Sequence, residues 1–357
     1  MAILGPVHLR FIIITSTSYK NNLFNCTLAT EKITYVKWKL TGMIRYFKTA
    51  EKELISMDEA EQNCWIAVSP PFDRNDLIEI SEKHNIPFDF LTDSIDIDER
   101  SRYEKEDGVK LIVVNTPYIN EDPKESEGIY ITVPIGIIIT ADHLITITGF
   151  ENNLLDRFIQ NRVKNFNSSD EKMFILKILE QNVFEFLSCL KKLNLKRNLI
   201  ERELYDSSRN EELKQLLRIE KSLVYFVNTL SSNELLKMKM KRTDFLEIKG
   251  MEQHDDLFED LIIDNSQALE MANVHTNILS GTMEAYASIV SNNLNVFIQR
   301  LTIATIVLMV PTLVASFYGM NVKVPFDNSE YSFYIIVFTS IFLALLLIWF
   351  FRRKKLF

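Results

Sequence analysis

The stretch VFIQRLTIATIVLMVPTLVASFY, residues 296–318, followed by Gly319, Met320 and Asn321, decides the fold. From Leu301 to Val322 no side chain is charged. At about 1.5 Å per residue that run exceeds the roughly 30 Å of bilayer hydrocarbon, so it reads as a spanning helix. A second apolar run, YSFYIIVFTSIFLALLLIWFF over 331–351, follows a short polar loop and ends on Arg352, Arg353, Lys354 and Lys355. The two runs are expected to form a transmembrane hairpin.

The first span is not uniformly apolar. At about 100° per residue, Ile298, Leu301, Thr302, Thr305, Met309, Thr312 and Ser316 fall in one stripe roughly 100° wide. The opposite arc carries Ile303, Ile306, Val307, Val310, Leu313, Val314 and Phe317. One flank holds Ala304, Pro311 and Ala315, residues small enough to let neighbouring transmembrane backbones approach. A lipid face, a helix-contact flank and a hydroxyl-bearing face on one helix suit the inner ring of an oligomeric pore. The competing reading is that the threonines only bond back to their own carbonyls, as intramembrane Thr and Ser commonly do.

Several features coincide: PTLVASFYGMN at the end of a spanning helix, a short loop, a second span and the ending RRKKLF. Together they resemble the CorA family of magnesium/cobalt (divalent metal cation) transporters, whose hallmark is Gly-Met-Asn at this place. The likeness extends upstream through SGTMEAYASIVSNNLN (280–295) and fades toward the N-terminus. It implies a funnel-shaped homo-pentamer with an α/β N-terminal cytoplasmic domain, a long helical stalk and two C-terminal transmembrane helices. It further implies uptake of Mg2+, with Co2+ and Ni2+ as additional cations, through a lipid bilayer. Gly319, Met320 and Asn321 would form the selectivity filter and Asn295 a polar ring at the inner end of the pore. An inter-subunit regulatory metal site is implied at Asp93, in FLTDSIDIDERSRYE, and Asp260, in DLFEDLIID. Asp260 lies an ungapped distance from Gly-Met-Asn, whereas Asp96 and Asp98 are rival ligands beside Asp93. A zinc-preferring transporter of the same fold, as in the ZntB branch, is the alternative. A membrane-anchored coiled-coil scaffold is a third reading, and it would not need the hydroxyl stripe.

Magnesium prefers octahedral oxygen and gives up its waters reluctantly. A mouth of neutral oxygens, the Asn321 amides with the Gly319 carbonyls nearby, suits the hydrated ion. Below it, Ser316 and Thr312 can exchange hydrogen bonds with the same waters. Met309, Thr305, Leu301 and Ile298 then make a mostly apolar throat able to gate by dewetting. Arg300 lies at about 200° on the same wheel and points away from the stripe.

The rest of the 357 residues divides by pattern. Residues 1–42 carry five bases against one acid and are expected to be a disordered arm or an extension upstream of the natural start. Residues 43–150 form an α/β domain, with β-branched runs at 63–71, 109–119, 130–140 and 143–150 and helical patterns at 73–86 and 88–96. Residues 151–251 read as long antiparallel helices opened by capping boxes at Ser168–Glu171 and Ser208–Glu211. Residues 252–295 form a stalk helix that runs unbroken from about Asp256 through the first span (296–318), near 90 Å in all by the helical rise. The Gly-Met-Asn motif and outer loop occupy 319–332, the second span 333–351, and a basic tail 352–357.

Charge sets the remaining limits. Residues 43–299 hold 45 Asp and Glu against 29 Lys and Arg, which argues against nucleic acid as a partner. An acidic domain under a pore can concentrate cations, although a solvated acidic surface has the same count. The loop after the first span holds only Lys323, Asp327 and Glu330, whereas four consecutive bases follow the second. By the positive-inside rule both termini are cytoplasmic in a multi-pass protein of the plasma (inner) membrane. Three scattered cysteines, Cys26, Cys64 and Cys189, fit a reducing compartment. Five dispersed histidines, no HExxH and no Gly-rich phosphate loop give no support for an enzyme or an organic cofactor.

Overall fold

The structure, a computed structural model, describes residues 44–50, 53–120, 127–206, 210–320 and 331–354. The expectations for residues 1–42, the Ser208 cap, Asn321 with the loop to 330, and the end of the basic tail lie outside the described residues.

Seven strands form one sheet: β1 (Ile44–Ala50), β2 (Glu53–Met57), β3 (Trp65–Val68), β4 (Arg102–Glu106), β5 (Val109–Ile119), β6 (Tyr130–Ile139) and β7 (Leu144–Ile147). Their order is β2-β1-β3-β7-β6-β5-β4, with β3 and β7 the parallel pair and the other neighbours antiparallel. Period-two alternation supplies two apolar faces. Trp65, Ala67, Ile112, Val114, Ile135 and Ile137 point to one face, and Ile66, Val68, Leu111, Val113 and Ile138 to the other.

The second face is covered by α1 (Arg74–His84) and α2 (Phe88–Asp93), through Leu77, Ile80, Phe90 and Leu91. Asp73 caps α1 with a complete capping box closed by Asp76, satisfying amides that the first turn leaves unpaired. Gly136 lets the end of α2 reach the sheet, because a Cβ there would stand 1.9 Å from Ser94 Oγ.

The first face packs on α3 (Asn153–Ile159) and on three long helices: α4 (Glu171–Asp206), α5 (Asn210–Thr243) and α6 (Glu252–Tyr318). Beyond the sheet these three share their own apolar core, including Phe186, Leu190, Leu223, Phe226, Ala268 and Ala272. Where sheet and bundle meet, the Nδ2 groups of Asn182 and Asn233 both donate to the Asn115 carbonyl at 3.0 Å. Burial in this layer demands such pairing.

The expected cap at Ser168 is not used. Asp170 Oδ1 accepts from the Met173 amide, while Ser168 is turned to β1, where its Oγ accepts from the Thr49 amide and its own amide donates to Thr49 Oγ1. Asp170 sits three residues before Met173, the same cap geometry moved along by two residues. Three elements, β2, β4 and α3, have no strong signal in the sequence, and the short edge strand β2 carries a single β-branched residue, Ile55. The charged edge strand β4 has no apolar alternation, and α3 is a seven-residue helix too short for a periodic signal.

Helix α6 is 67 residues long and continuous through Pro311, which by the 1.5 Å rise is about 100 Å. It starts at Glu252, a turn earlier than the pattern suggested. Its C-terminal part and α7 (Ser332–Arg353) are the two helices long and apolar enough to cross a membrane among the described residues.

Candidate ion pathway and regulatory carboxylates

Helix α7 packs along the membrane part of α6 and covers one side of it. Ile303 is buried, Val307, Val310, Pro311, Val314 and Tyr318 are partly covered, and Ser340 of α7 is buried against them. On the helical wheel this covered side centres at about 170° from Ile298. Ile298, Leu301, Thr302, Thr305, Met309, Thr312 and Ser316 are all exposed, on the far side of α6 from α7, and Asn295 is exposed as well.

The arc expected to face lipid is therefore divided. Ile303, Val307, Val310 and Val314 meet α7, while Ile306, Leu313 and Phe317 stay exposed. Large β-branched side chains serve a second helix as well as they serve acyl chains, so the wheel alone does not separate the two. Pro311 and Ala315, from the small-residue flank, line the groove against α7 beside Phe333 and Val337.

The hydroxyls of the stripe bond backward. Thr302 Oγ1 donates to the Ile298 carbonyl at 2.9 Å, Thr305 to Leu301 at 2.9 Å and Thr312 to Leu308 at 3.1 Å. That is the geometry of the competing reading, yet it leaves each oxygen's lone pairs free. Each threonine thus presents an acceptor to whatever lies before it. The outer waters' hydrogens of a hydrated cation point away from the ion, so a ring of acceptors suits them.

Gly319 caps α6, its amide donating to the Ala315 carbonyl at 2.9 Å, and the Met320 side chain is exposed. Asn321 lies outside the described residues.

Asp93 is the last residue of α2 and Asp260 stands exposed on α6. Asp93 is already paired: Arg102 Nη2 donates to its Oδ2 at 2.6 Å. The same guanidinium reaches Glu99 through Nε at 2.7 Å and Glu104 through Nη1. Partial burial opposes the charge on Arg102, but the hydrogen bonds to Glu99, Glu104 and Asp93 outweigh it and raise its pKa. Within one chain, no three His, Cys, Asp or Glu among the described residues stand together as metal ligands. Asp96 and Asp98, the rivals, share a turn in which the Asp98 amide donates to Asp96 Oδ1 at 3.0 Å.

Sequence reasoning missed Arg102, and it missed Lys237. Lys237 is fully buried between α5 and α6, where Nζ donates to Asn265 Oδ1 at 2.7 Å. Asn265 in turn donates to the Leu230 carbonyl at 2.9 Å. The available signal is spacing, since Lys237 follows buried Asn233 by four residues and precedes buried Met240 by three. The alternating run KMKMKR hides it.

An α/β domain joined by one unbroken helix to a pair of helices long and apolar enough to cross a membrane, with acceptors along the uncovered side of the first, has the build of a membrane ion transporter. The sequence matches the family described as CorA-like Mg2+ transporter protein over residues 60–353, and the chain belongs to that family. It is 26% identical over 293 residues to the cobalt/magnesium transport protein CorA of Methanocaldococcus jannaschii, covering 81% of this chain and 90% of that one. The complete structure of the CorA magnesium transporter from the same organism superposes with a TM-score of 0.74 at 23% identity, covering 88% of this chain and 98% of that one. The ZntB cytoplasmic domain from Vibrio parahaemolyticus shares the fold at a TM-score of 0.56 and 10% identity, over 71% of this chain and 100% of that one.

Proposed function

We propose that the protein is a Mg2+ channel of the inner membrane, a homo-pentamer with both termini in the cytoplasm, in which α6 lines the pore. One observation carries this reading: Thr305, Thr312 and Ser316 remain exposed on the side of α6 turned away from α7. Copies of the hairpin standing in a ring would turn those acceptors to a common axis and α7 to lipid. The hydrated ion would meet the Asn321 amides and Gly319 carbonyls first, then Ser316 and Thr312. Met309, Thr305, Leu301 and Ile298 would form the throat, with Asn295 at its inner end. Co2+ and Ni2+ share the charge and hydration habit to follow the same path. An inside-negative potential supplies roughly 4.6 kcal/mol per 100 mV to a divalent ion, twice the single-charge value, so no nucleotide is needed.

Cytoplasmic Mg2+ closes the pore by bridging Asp93 of one subunit to Asp260 of the next. Carboxylate oxygens are the hard donors that Mg2+ takes, and Asp260 is exposed to meet a neighbour. Loss of the ion leaves like charges to repel across the interface and favours asymmetric, open arrangements.

The test is ion uptake into liposomes under an inside-negative potential. Wild type passes Mg2+, and Asn321→Ala loses most of that flux. Zn2+ uptake exceeding Mg2+ uptake would favour the zinc-preferring alternative, which shares the fold. Passage of no divalent ion would leave the scaffold reading.

A further inference from the structure

Arg102 opens the edge strand β4 and divides its guanidinium among three carboxylates on three segments. Nη2 meets Asp93 Oδ2 at 2.6 Å, Nε meets Glu99 Oε1 at 2.7 Å, and Nη1 meets Glu104 Oε2. A guanidinium is always charged and matches carboxylates through a rigid planar fork. Loss of a proton from the guanidinium therefore does not free Asp93, whereas a competing cation can take its place. The exchange is open to solvent, because the Asp93 side chain is 34% and the Arg102 side chain 31% exposed. Glu99 and Glu104 hold the guanidinium beside Asp93 whether or not the Nη2 bond is made. A competitor tethered in this way acts at a fixed effective concentration, which shifts a binding midpoint by a constant factor and does not abolish binding.

We infer that Arg102 is a built-in competitor of the divalent cation at Asp93 and sets the Mg2+ concentration at which the inter-subunit site fills. This rests on the reading of Asp93 and Asp260 as the regulatory pair. A cation bridging two subunits must take Asp93 from the guanidinium, and the acid cluster of Glu99 and Glu104 returns the arginine when the ion leaves. The site is thereby tuned to fill only at high cytoplasmic Mg2+.

The experiment uses the full chain, with Mg2+ as the probe and two readouts: the midpoint for protection against limited proteolysis and the midpoint for inhibition of flux. Arg102→Gln lowers both midpoints by about fivefold, the weight of one part-exposed ion pair, and Arg102→Lys gives a smaller shift in the same direction. Adding Arg102→Gln to Asp93→Asn produces no further shift. Midpoints that stay or rise in Arg102→Gln, while Asp93→Asn alone raises them, overturn the competitor and leave the Asp93 reading standing. Midpoints unmoved by Asp93→Asn overturn both. If Arg102→Gln fails to assemble, Arg102→Lys decides, and an unshifted midpoint there overturns the proposal.

Discussion

Lys237 Nζ on α5 donates to Asn265 Oδ1 on α6 at 2.7 Å, inside an interface where neither side chain meets solvent. The bond ties the helix that continues into the membrane to the bundle beneath it. Burial dominates the lysine's ionisation and pushes its pKa down to about 7, against the opposing pull of Glu234 and Asp264.

The sign of the resulting pH dependence follows from linkage. The unfolded chain takes up this proton near the ordinary lysine value of 10.5, and the folded chain only near 7. Stability from this group therefore rises with pH between about 7 and 10.5, at up to roughly 1.4 kcal/mol per pH unit, and is flat below that window. Melting temperatures of wild type and Lys237→Met between pH 6 and 9.5 check this. The rise above pH 7 is expected to shrink in the variant, and an identical profile would show that Lys237 does not titrate there.

Gly136 tests the packing of α2 on the sheet. A Cβ there would stand 1.9 Å from Ser94 Oγ and 2.3 Å from Ser94 Cβ. Gly136→Ala is expected to cost about 1–3 kcal/mol, as overpacked cores do. Ser94→Gly removes both clashing atoms, so the double variant should recover much of the loss in thermal or denaturant unfolding.

Thr312 separates acceptor chemistry from mere polarity. Its hydroxyl proton is spent on the Leu308 carbonyl, so what it offers on the proposed pore side is an oxygen acceptor. Thr312→Val keeps the shape and deletes that acceptor. Mg2+ flux should fall by about tenfold, the worth of a hydrogen bond of roughly 1.4 kcal/mol, while Thr312→Ser retains most of it. Uptake into liposomes measures both.

The proposed regulatory pair, Asp93 and Asp260, carries a joint prediction. Replacing Asp93 and Asp260 together by Asn should raise the Mg2+ concentration needed for half-inhibition several-fold and leave the maximal flux in place. Unchanged inhibition would remove the assignment.

Much of this architecture was legible in the sequence because it is written in long periodic signals. The uncharged run from Leu301 and the second run to Phe351 needed only length and composition, and the strands at 109–119 and 130–139 needed only β-branched runs bounded by turn residues. The misses are contacts that local pattern does not encode. Ser168 has the spacing of a cap, but its hydroxyl is claimed by Thr49, 119 residues away in the chain. Val307 and Val314 look lipid-facing until α7 is laid on them. Arg102, at the start of β4, follows Asp93 by nine residues across an acidic loop, and only the folded path of that loop brings the two together.

The proposed pathway requires the stripe of α6 opposite α7 to face water. Cysteine introduced singly at Thr312 or Leu313 and treated with a charged, water-soluble thiol reagent tests it most directly, with the wild type as control for the native thiols. The reagent is expected to block Mg2+ uptake through Thr312→Cys and to leave Leu313→Cys unaffected. Block at Leu313 with Thr312 untouched would contradict the pathway.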